Sequence, residues 1–187
     1  MRFCFWGVFV RIAVDEISAA GLDKDYCIEA AKLFENADPV GDTGFQFVSP
    51  VQFHLHLQRA DEMIRLCGDV AYTLAENCGR CLDRFEEQIS SRFELSFSTQ
   101  EPEGVDQEEI ELEAIQLEQV SFSGDQLDLR DCLREQVSLS LPIRPLCRPE
   151  CRGLCPECGG NLNHVVCGCE KKVFNNKFDA LKALKKK

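Results

Sequence analysis

At 187 residues, with 44% hydrophobic and 28% charged side chains, the chain is long enough for one ordinary domain and a small appendage. The net charge of −11 is unevenly spread: residues 1–143 hold 11 Lys and Arg against 28 Asp and Glu, residues 144–187 hold 10 against 4. An acidic body of residues 1–143 argues against broad, non-specific nucleic-acid binding through that part, whereas the basic tail, 144–187, keeps a local RNA contact open.

The longest apolar run, Phe3–Val10, falls far short of the roughly 20 residues of a membrane span. Arg11, Asp15 and Glu16 follow it without a small-residue cleavage pattern, so a buried first strand is expected over residues 3–17 and no leader. Residues 25–36 read as a short helix that stops at Asp38-Pro39, and residues 40–49 as a turn into an extended segment. The clearest β signal comes next. Val51, Phe53, Leu55 and Leu57 alternate with Gln52, His54, His56 and Gln58, which places one apolar and one polar face on a strand.

After a polar turn at Arg59–Glu62, a second strand carries Ile64, Leu66, Gly68, Val70, Tyr72 and Leu74 on one side. A third carries Phe85, Ile89, Phe93, Leu95 and Phe97, with a change of face expected near Ser91. The three form an antiparallel meander, and Cys78-Gly-Arg-Cys81 occupies the turn between the second and third strands. Residues 100–119 hold eight acids and no base and read as a flexible linker. Leu129, Leu133, Val137 and Leu141 recur at i, i+4, which predicts a helix over residues 128–141, capped by Asp125 or Asp128 and stopped by Pro142. A short amphipathic helix around Phe178, Leu181 and Leu184 closes the chain.

Twelve cysteines without a secretion signal point to a reducing, cytoplasmic setting and to metal, not disulfides. Six of them, Cys147, Cys151, Cys155, Cys158, Cys167 and Cys169, crowd into 23 residues. Thiolates at this density suit a soft ion, and Cys155-Pro-Glu-Cys158-Gly159 has the C-x2-C form of a zinc half-site. The pair that completes it is either Cys167/Cys169 or Cys147/Cys151. Counting Cys78 and Cys81 gives eight thiols, enough for two Cys₄ sites in which the turn and the tail share an ion. The plainer alternative is reduced cysteines used as small buried hydrophobes.

A redox dithiol at Cys78 and Cys81 would want a helix N-terminus, and the flanks here are strands. His54 and His56 share one strand face but have no carboxylate close in sequence, so an exposed polar face is expected; His164 is a minor candidate to replace one thiol. Cys4, Cys27, Cys67 and Cys132 stand alone in apolar surroundings and read as core. No nucleotide-binding glycine motif, nucleophile elbow or zinc-deaminase signature occurs, and no open metal site of His and carboxylate is apparent, so Zn²⁺ here is structural, as one or two ions.

The combined pattern resembles the bacterial and plastid YceD-type family of large ribosomal RNA subunit accumulation proteins. The residues that carry the likeness are Cys78-Gly-Arg-Cys81-Leu82, Asp128-Leu129 through Leu141-Pro142, Cys147, Cys151-Arg-Gly-Leu-Cys155-Pro-Glu-Cys158-Gly, Asn161-Leu162-Asn163, Cys167-Gly-Cys169 and Phe178–Leu184. Met1–Phe9, unusually aromatic, departs from the family's pattern. The resemblance implies a role in synthesis, processing or stability of large-subunit (23S) rRNA without an established catalytic activity.

The resulting expectation is an α+β protein: an antiparallel β meander or barrel-like body with one or two helices, and a cysteine-rich zinc-binding tail. It would be a non-enzymatic ribosome-biogenesis factor in the cytoplasm, with no membrane and no small-molecule substrate. Arg144, Arg148, Arg152, Lys171 and Lys172 would contact the phosphates of rRNA or a pre-ribosomal particle, and the acidic body a basic ribosomal protein. The alternatives are a thiol oxidoreductase using Cys78 and Cys81, or an interaction module docking through residues 100–119.

Overall fold

The computed structural model describes residues 10–35, 45–61, 63–98 and 119–169. The chain divides into two compact units, Met1–Glu76 with Phe85–Ile143, and Asn77–Arg84 with Arg144–Lys187.

In the first unit, β1 (Arg11–Ala13) pairs antiparallel with β8 (Gln126–Asp128) in a two-stranded sheet. The larger sheet contains β2 (Leu22–Ile28), β3 (Gln46–Phe47), β4 (Val51–Ala60), β5 (Met63–Asn77), β6 (Arg84–Ser98) and β7 (Gln119–Ser121). Its order is β2-β4-β5-β6-β7, with β3 on β5. The path is open among the described residues, so the meander is present and the barrel-like closure is not. β2–β4 and β4–β5 are antiparallel, and the connection from β5 to β6 is far too short for a parallel crossover. The parallel β6–β7 pair is joined through residues outside the described set. Among the described residues, no helix is long and apolar enough to cross a membrane.

Alternation builds the core. Val51, Phe53, Leu55 and Leu57 of β4, and Ile64, Leu66, Val70, Tyr72 and Leu74 of β5, are all buried on one face. Along β6 the odd-numbered positions from Phe85 to Phe97 hold one face throughout, so no change of face occurs at Ser91. The ladder explains this, because a one-residue slip would turn Phe93 and Phe97 out of the core. Pro50 lacks an N–H to donate and separates β3 from β4, and beside it the Thr73 N–H of β5 donates to Ser49 Oγ at 2.9 Å. Helix α2 (Arg130–Ser140) buries Leu133 and Val137, receives the Asp128 carboxylate at the Arg130 N–H, and stops at Leu141 before Pro142.

Two sequence expectations fail near the N-terminus. The first strand is confined to Arg11–Ala13 among the described residues, because Val14–Glu16 turns as a 3₁₀ segment. The helix expected over 25–36 is present only in part, since residues 25–28 belong to β2 and α1 covers only Ala30–Leu33. Pairing with β4 overrides the helical reading: register sets Tyr26 opposite Phe53 and the acids opposite histidines. The residues for which a linker (100–118) and a terminal helix (178–184) were expected lie outside the described set.

Gly68 has a specific reason to be glycine. Phe93 of β6 lies across it, and a Cβ there would overlap the ring. Gly68→Ala should therefore destabilise by about 1–3 kcal/mol through overpacking, and Phe93→Leu should recover part of the loss. Urea unfolding of the two single variants and the double variant checks this.

Glu76 is buried, and neither carboxylate oxygen has a hydrogen-bond donor. Burial first, and then the neighbouring Glu87 carboxyl, push its pKa up to about 7. A carboxyl raised in the folded state favours folding while protonated, and that contribution is lost as pH rises from the ordinary carboxyl range through 7. Glu76→Gln should thus gain stability relative to the parent at pH 8 but not at pH 4.5, measured by denaturant midpoints at both values.

Candidate metal centres

The described residues of the second unit have little regular structure. Two turns of like geometry organise them. In Cys78-Gly79-Arg80-Cys81 the Cys78 N–H donates to the Asp83 carbonyl at 2.9 Å, and the Leu82 N–H returns to the Cys78 carbonyl at 2.9 Å. In Cys155-Pro156-Glu157-Cys158 the Cys155 N–H donates to Gly160 at 2.8 Å and the Gly159 N–H to Cys155 at 2.9 Å. The residue after the second cysteine is left-handed in both, Leu82 at φ 64° and Gly159 at φ 71°. This closure turns backbone N–H groups toward the sulfurs, as metal knuckles require.

The eight thiols assort into two tetrads. Cys78, Cys81, Cys147 and Cys151 place their sulfurs within 4.8 Å of one another, as do Cys155, Cys158, Cys167 and Cys169. In the first tetrad Cys78 Sγ lies 3.7 Å from Cys151 Sγ, and Cys81 Sγ lies 3.7 Å from Cys147 Sγ. Sulfurs at the Zn–S distance around one tetrahedral ion stand about 3.8 Å apart, whereas a disulfide needs about 2.05 Å. The spacing fits a shared ion, and the donor set, four soft thiolates with no water position, suits Zn²⁺ in a closed site.

Proton affinities within each tetrad are driven apart. Burial opposes ionisation of Cys78, but backbone N–H groups of Cys147, Cys81 and Arg80 directed at its sulfur outweigh it and hold its pKa at about 6. Burial, reinforced by the neighbouring Cys78, Cys151 and Cys147, pushes Cys81 up to about 12. In the second tetrad the N–H groups of Cys158 and Glu157 hold Cys155 at about 6, while Cys158 above all pushes Cys169 to about 12. Four adjacent thiols do not all ionise unless a cation offsets their repulsion.

Around the first tetrad, Arg80 acts as a strut. Its guanidinium donates to the carbonyls of Cys151 at 2.9 Å and Pro149 at 3.2 Å, while its own carbonyl accepts the Leu154 N–H at 3.1 Å. Asn163 donates its side-chain N–H to Cys151 Sγ at 3.3 Å and also to Asn161 Oδ1 at 2.8 Å. Asn161 in turn donates to Asp83 Oδ2 at 2.7 Å. In the sequence, Asn161 and Asn163 carry one signal of this role, an Asn-x-Asn placed between ligand pairs.

The remaining candidates fall as follows. Arg144, Arg148 and Arg152 are exposed; Lys171 and Lys172 lie outside the described residues, as does Cys4. His164 joins neither tetrad and faces Asp83 Oδ2 at 3.4 Å. His54 and His56 do have carboxylates beside them, Asp25 and Asp23, each at 2.7 Å. The mistaken helix over 25–36 hid those acids, which β2 brings across the strand pair. Cys27 and Cys67 are half-buried opposite Gln52 and His56 on the polar face of the sheet, so they are not core; Cys132 packs partly buried against it.

Fold and site together define a mostly β protein with an open, largely antiparallel sheet and two cysteine tetrads that could each hold a metal ion. A family model described as large ribosomal RNA subunit accumulation protein YceD matches residues 66–185, and the chain belongs to that family. It is 27% identical over 153 residues to the chloroplastic large ribosomal RNA subunit accumulation protein YCED homolog 1 of Arabidopsis thaliana, covering 71% of this chain and 48% of the relative. The Zea mays protein of the same name is 27% identical over 188 residues, covering 87% and 61%. An uncharacterized protein of Mycobacterium tuberculosis is 29% identical over 105 residues, covering 56% and 48%. The chain thus spans about half the length of the first of these relatives. No solved structure matches.

Gly153 sets the approach of the two turns. Its φ is +74°, and a Cβ would stand 3.0 Å from the Arg80 carbonyl oxygen. Gly153→Ala should cost about 2 kcal/mol from the left-handed backbone and the contact combined. Thermal melts should show the loss, and metal release to a chelator should be faster than in the parent.

Proposed function

We propose that the protein is a non-enzymatic, cytoplasmic factor of ribosome biogenesis that supports synthesis, processing or stability of large-subunit (23S) rRNA, with structural Zn²⁺ at both tetrads. The observation that carries this reading is the family match over 66–185, a span that includes all eight thiols. The names of the plant relatives give the process. Bound Zn²⁺ would supply only cross-linking here: Cys78 and Cys81 from the β5–β6 connection are held to Cys147 and Cys151, and Cys155 and Cys158 to Cys167 and Cys169.

Charge bears on where RNA would touch. The described part of the second unit has five arginines against Asp83, Glu150 and Glu157. Each ion with four thiolates carries a formal charge of about −2, so two loaded sites reverse the sign of that part. Phosphate contact then rests on individually exposed arginines, Arg144, Arg148 and Arg152, and on the lysines beyond residue 170, including Lys171 and Lys172. The acidic first unit suits a basic ribosomal protein.

A thiol oxidoreductase at Cys78 and Cys81 is the weaker reading. Both sulfurs are buried, and each sits against a further thiol, which favours a ligand role over attack on an external disulfide.

The test combines metal analysis with co-sedimentation. The purified protein should contain about two zinc ions per chain, and Cys78→Ser/Cys81→Ser about one. The protein should travel with large-subunit precursor particles on sucrose gradients, and Arg148→Glu/Arg152→Glu should weaken that binding and lower its salt slope by roughly two. A parent that stays at the top of the gradient at every salt concentration would refute the ribosomal reading, independently of the zinc count.

A further inference from the structure

The second tetrad closes a loop whose inner residues serve the first. Cys158 and Cys167 bracket Gly159–Val166, and inside that loop lie Asn161, Leu162 and Asn163. Asn163 donates to Cys151 Sγ at 3.3 Å, a ligand atom of the first tetrad, and its Oδ1 accepts the Arg152 N–H at 2.9 Å. The Leu162 N–H donates to the Gly153 carbonyl at 2.9 Å. Asn161 holds Asp83, two residues past Cys81, and its Oδ1 fixes Asn163 through both the backbone and side-chain N–H, at 3.0 and 2.8 Å. The loop's polar groups thus bond to Asp83, Cys151, Arg152 and Gly153.

The two centres differ in shelter. Cys78, Cys81 and Cys151 are buried and Cys147 is half-buried, whereas Cys158 and Cys169 are exposed. With Cys155 buried and Cys167 half-buried, the second tetrad is the more solvent-exposed of the two through Cys158 and Cys169. The loop has no helix or ladder beyond the single Leu154–Asn161 bridge; its shape rests on its turn and side-chain hydrogen bonds, among them His164 and Val165 N–H to the Asn161 carbonyl at 3.0 Å, and on what joins its ends at Cys158 and Cys167.

Resting on the reading that both tetrads bind Zn²⁺, we infer that the centres are energetically coupled: occupancy of the exposed Cys155/Cys158/Cys167/Cys169 site holds Asn163 against Cys151 and so sets the affinity of the buried site. Asn163 is the positioning residue of this device. It contributes no ligand; it fixes one, through a hydrogen bond that exists only while the loop is closed. Outer contacts of this kind are worth about ten- to hundred-fold in metal affinity. Linkage requires the effect to be reciprocal, so loss of the buried ion weakens the exposed site by the same factor. The functional consequence is a metal-sensing order: depletion strips the exposed site first and loosens the buried one as a result, so the unit opens over a narrow range of zinc concentration.

The test uses the full chain and Co²⁺, whose thiolate charge-transfer absorbance reports binding at each site under chelator competition. In Cys155→Ser/Cys158→Ser the buried site should bind Co²⁺ about ten- to hundred-fold more weakly than in the parent. Asn163→Ala in the otherwise intact chain should cost the buried site a similar factor while two ions still bind. Adding Asn163→Ala to the Cys155→Ser/Cys158→Ser chain should cost little more, because the contact is already lost. Equal Asn163→Ala penalties in both backgrounds, or a buried-site affinity unchanged by either variant, would overturn the coupling. Should the cysteine variant fail to fold, the kinetics of zinc release from Asn163→Ala decide the matter. Two phases, both faster than in the parent, support coupling, and release as slow as in the parent refutes it. A parent chain that binds no Co²⁺ or Zn²⁺ would instead remove the metal reading itself, a result readily told apart from two independent sites.

Discussion

Repulsion among neighbouring thiolates is the constraint on which the second unit turns. Eight sulfurs are gathered into two groups with every member within 4.8 Å of its partners. Hydrogen bonds lower the thiols of Cys78 and Cys151 in one group and of Cys155 in the other, while burial, with the neighbouring thiols, pushes Cys81 up to about 12 and Cys158 above all pushes Cys169 to about 12. Apolar packing offers a poor explanation for such an arrangement, since Cys158 and Cys169 are exposed and bury little surface. A divalent soft cation would resolve it, replacing mutual repulsion by four bonds, and would also supply cross-links to described residues that have little helix or strand of their own.

The two C-x2-C turns reach one geometry from unlike sequences. Each needs a left-handed residue after its second cysteine. One supplies glycine, where the conformation costs nothing steric, and the other supplies Leu82, whose side chain is exposed and gains no packing in return. A strained residue that buries nothing is explained by what its backbone does, which is to return an N–H to the Cys78 carbonyl and close the turn. The strain at Leu82 and the Cβ clash that forces glycine at 153 are two costs of the same local arrangement, the close meeting of the Arg80 carbonyl with the Gly153–Leu154 backbone.

Legibility in the sequence followed the range of the interactions. The alternating runs of β4, β5 and β6 and the i, i+4 leucines of α2 were readable because burial on one face imposes its period locally. Residues 25–28 were misread because their partner lies some 25 positions away on β4, and nothing local says that Asp23 and Asp25 answer His56 and His54. A capacity for metal was likewise legible in the cysteine density, and the grouping into tetrads was not. Six tail thiols permit several foursomes, and only the fold brings Cys78 and Cys81 from a β-turn to Cys147 and Cys151. Cys27 and Cys67 show the limit of composition: an apolar neighbourhood in sequence became the polar face of a sheet once register was fixed.

The charge asymmetry also changes meaning once ions are counted. The basic tail reads as an RNA-binding arm when its cysteines are taken as neutral, and each four-thiolate centre removes about two positive charges from that sum. The arginines that remain exposed, at 144, 148 and 152, flank the ligands Cys147 and Cys151. With the tetrads loaded, a phosphate at these arginines would lie near a negatively charged centre, and loss of the ion with reprotonation of its thiols would make the same surface more positive. Metal loading and phosphate affinity thus oppose each other electrostatically, while loading favours the ordered backbone that presents those arginines. Which effect wins is a question of distance. At the Debye length of about 8 Å in physiological salt that charge would be felt by arginines next to the ligands in sequence, as Arg148 is to Cys147 and Arg152 to Cys151, so a loaded unit would meet phosphate through few, well-placed arginines and not through bulk charge.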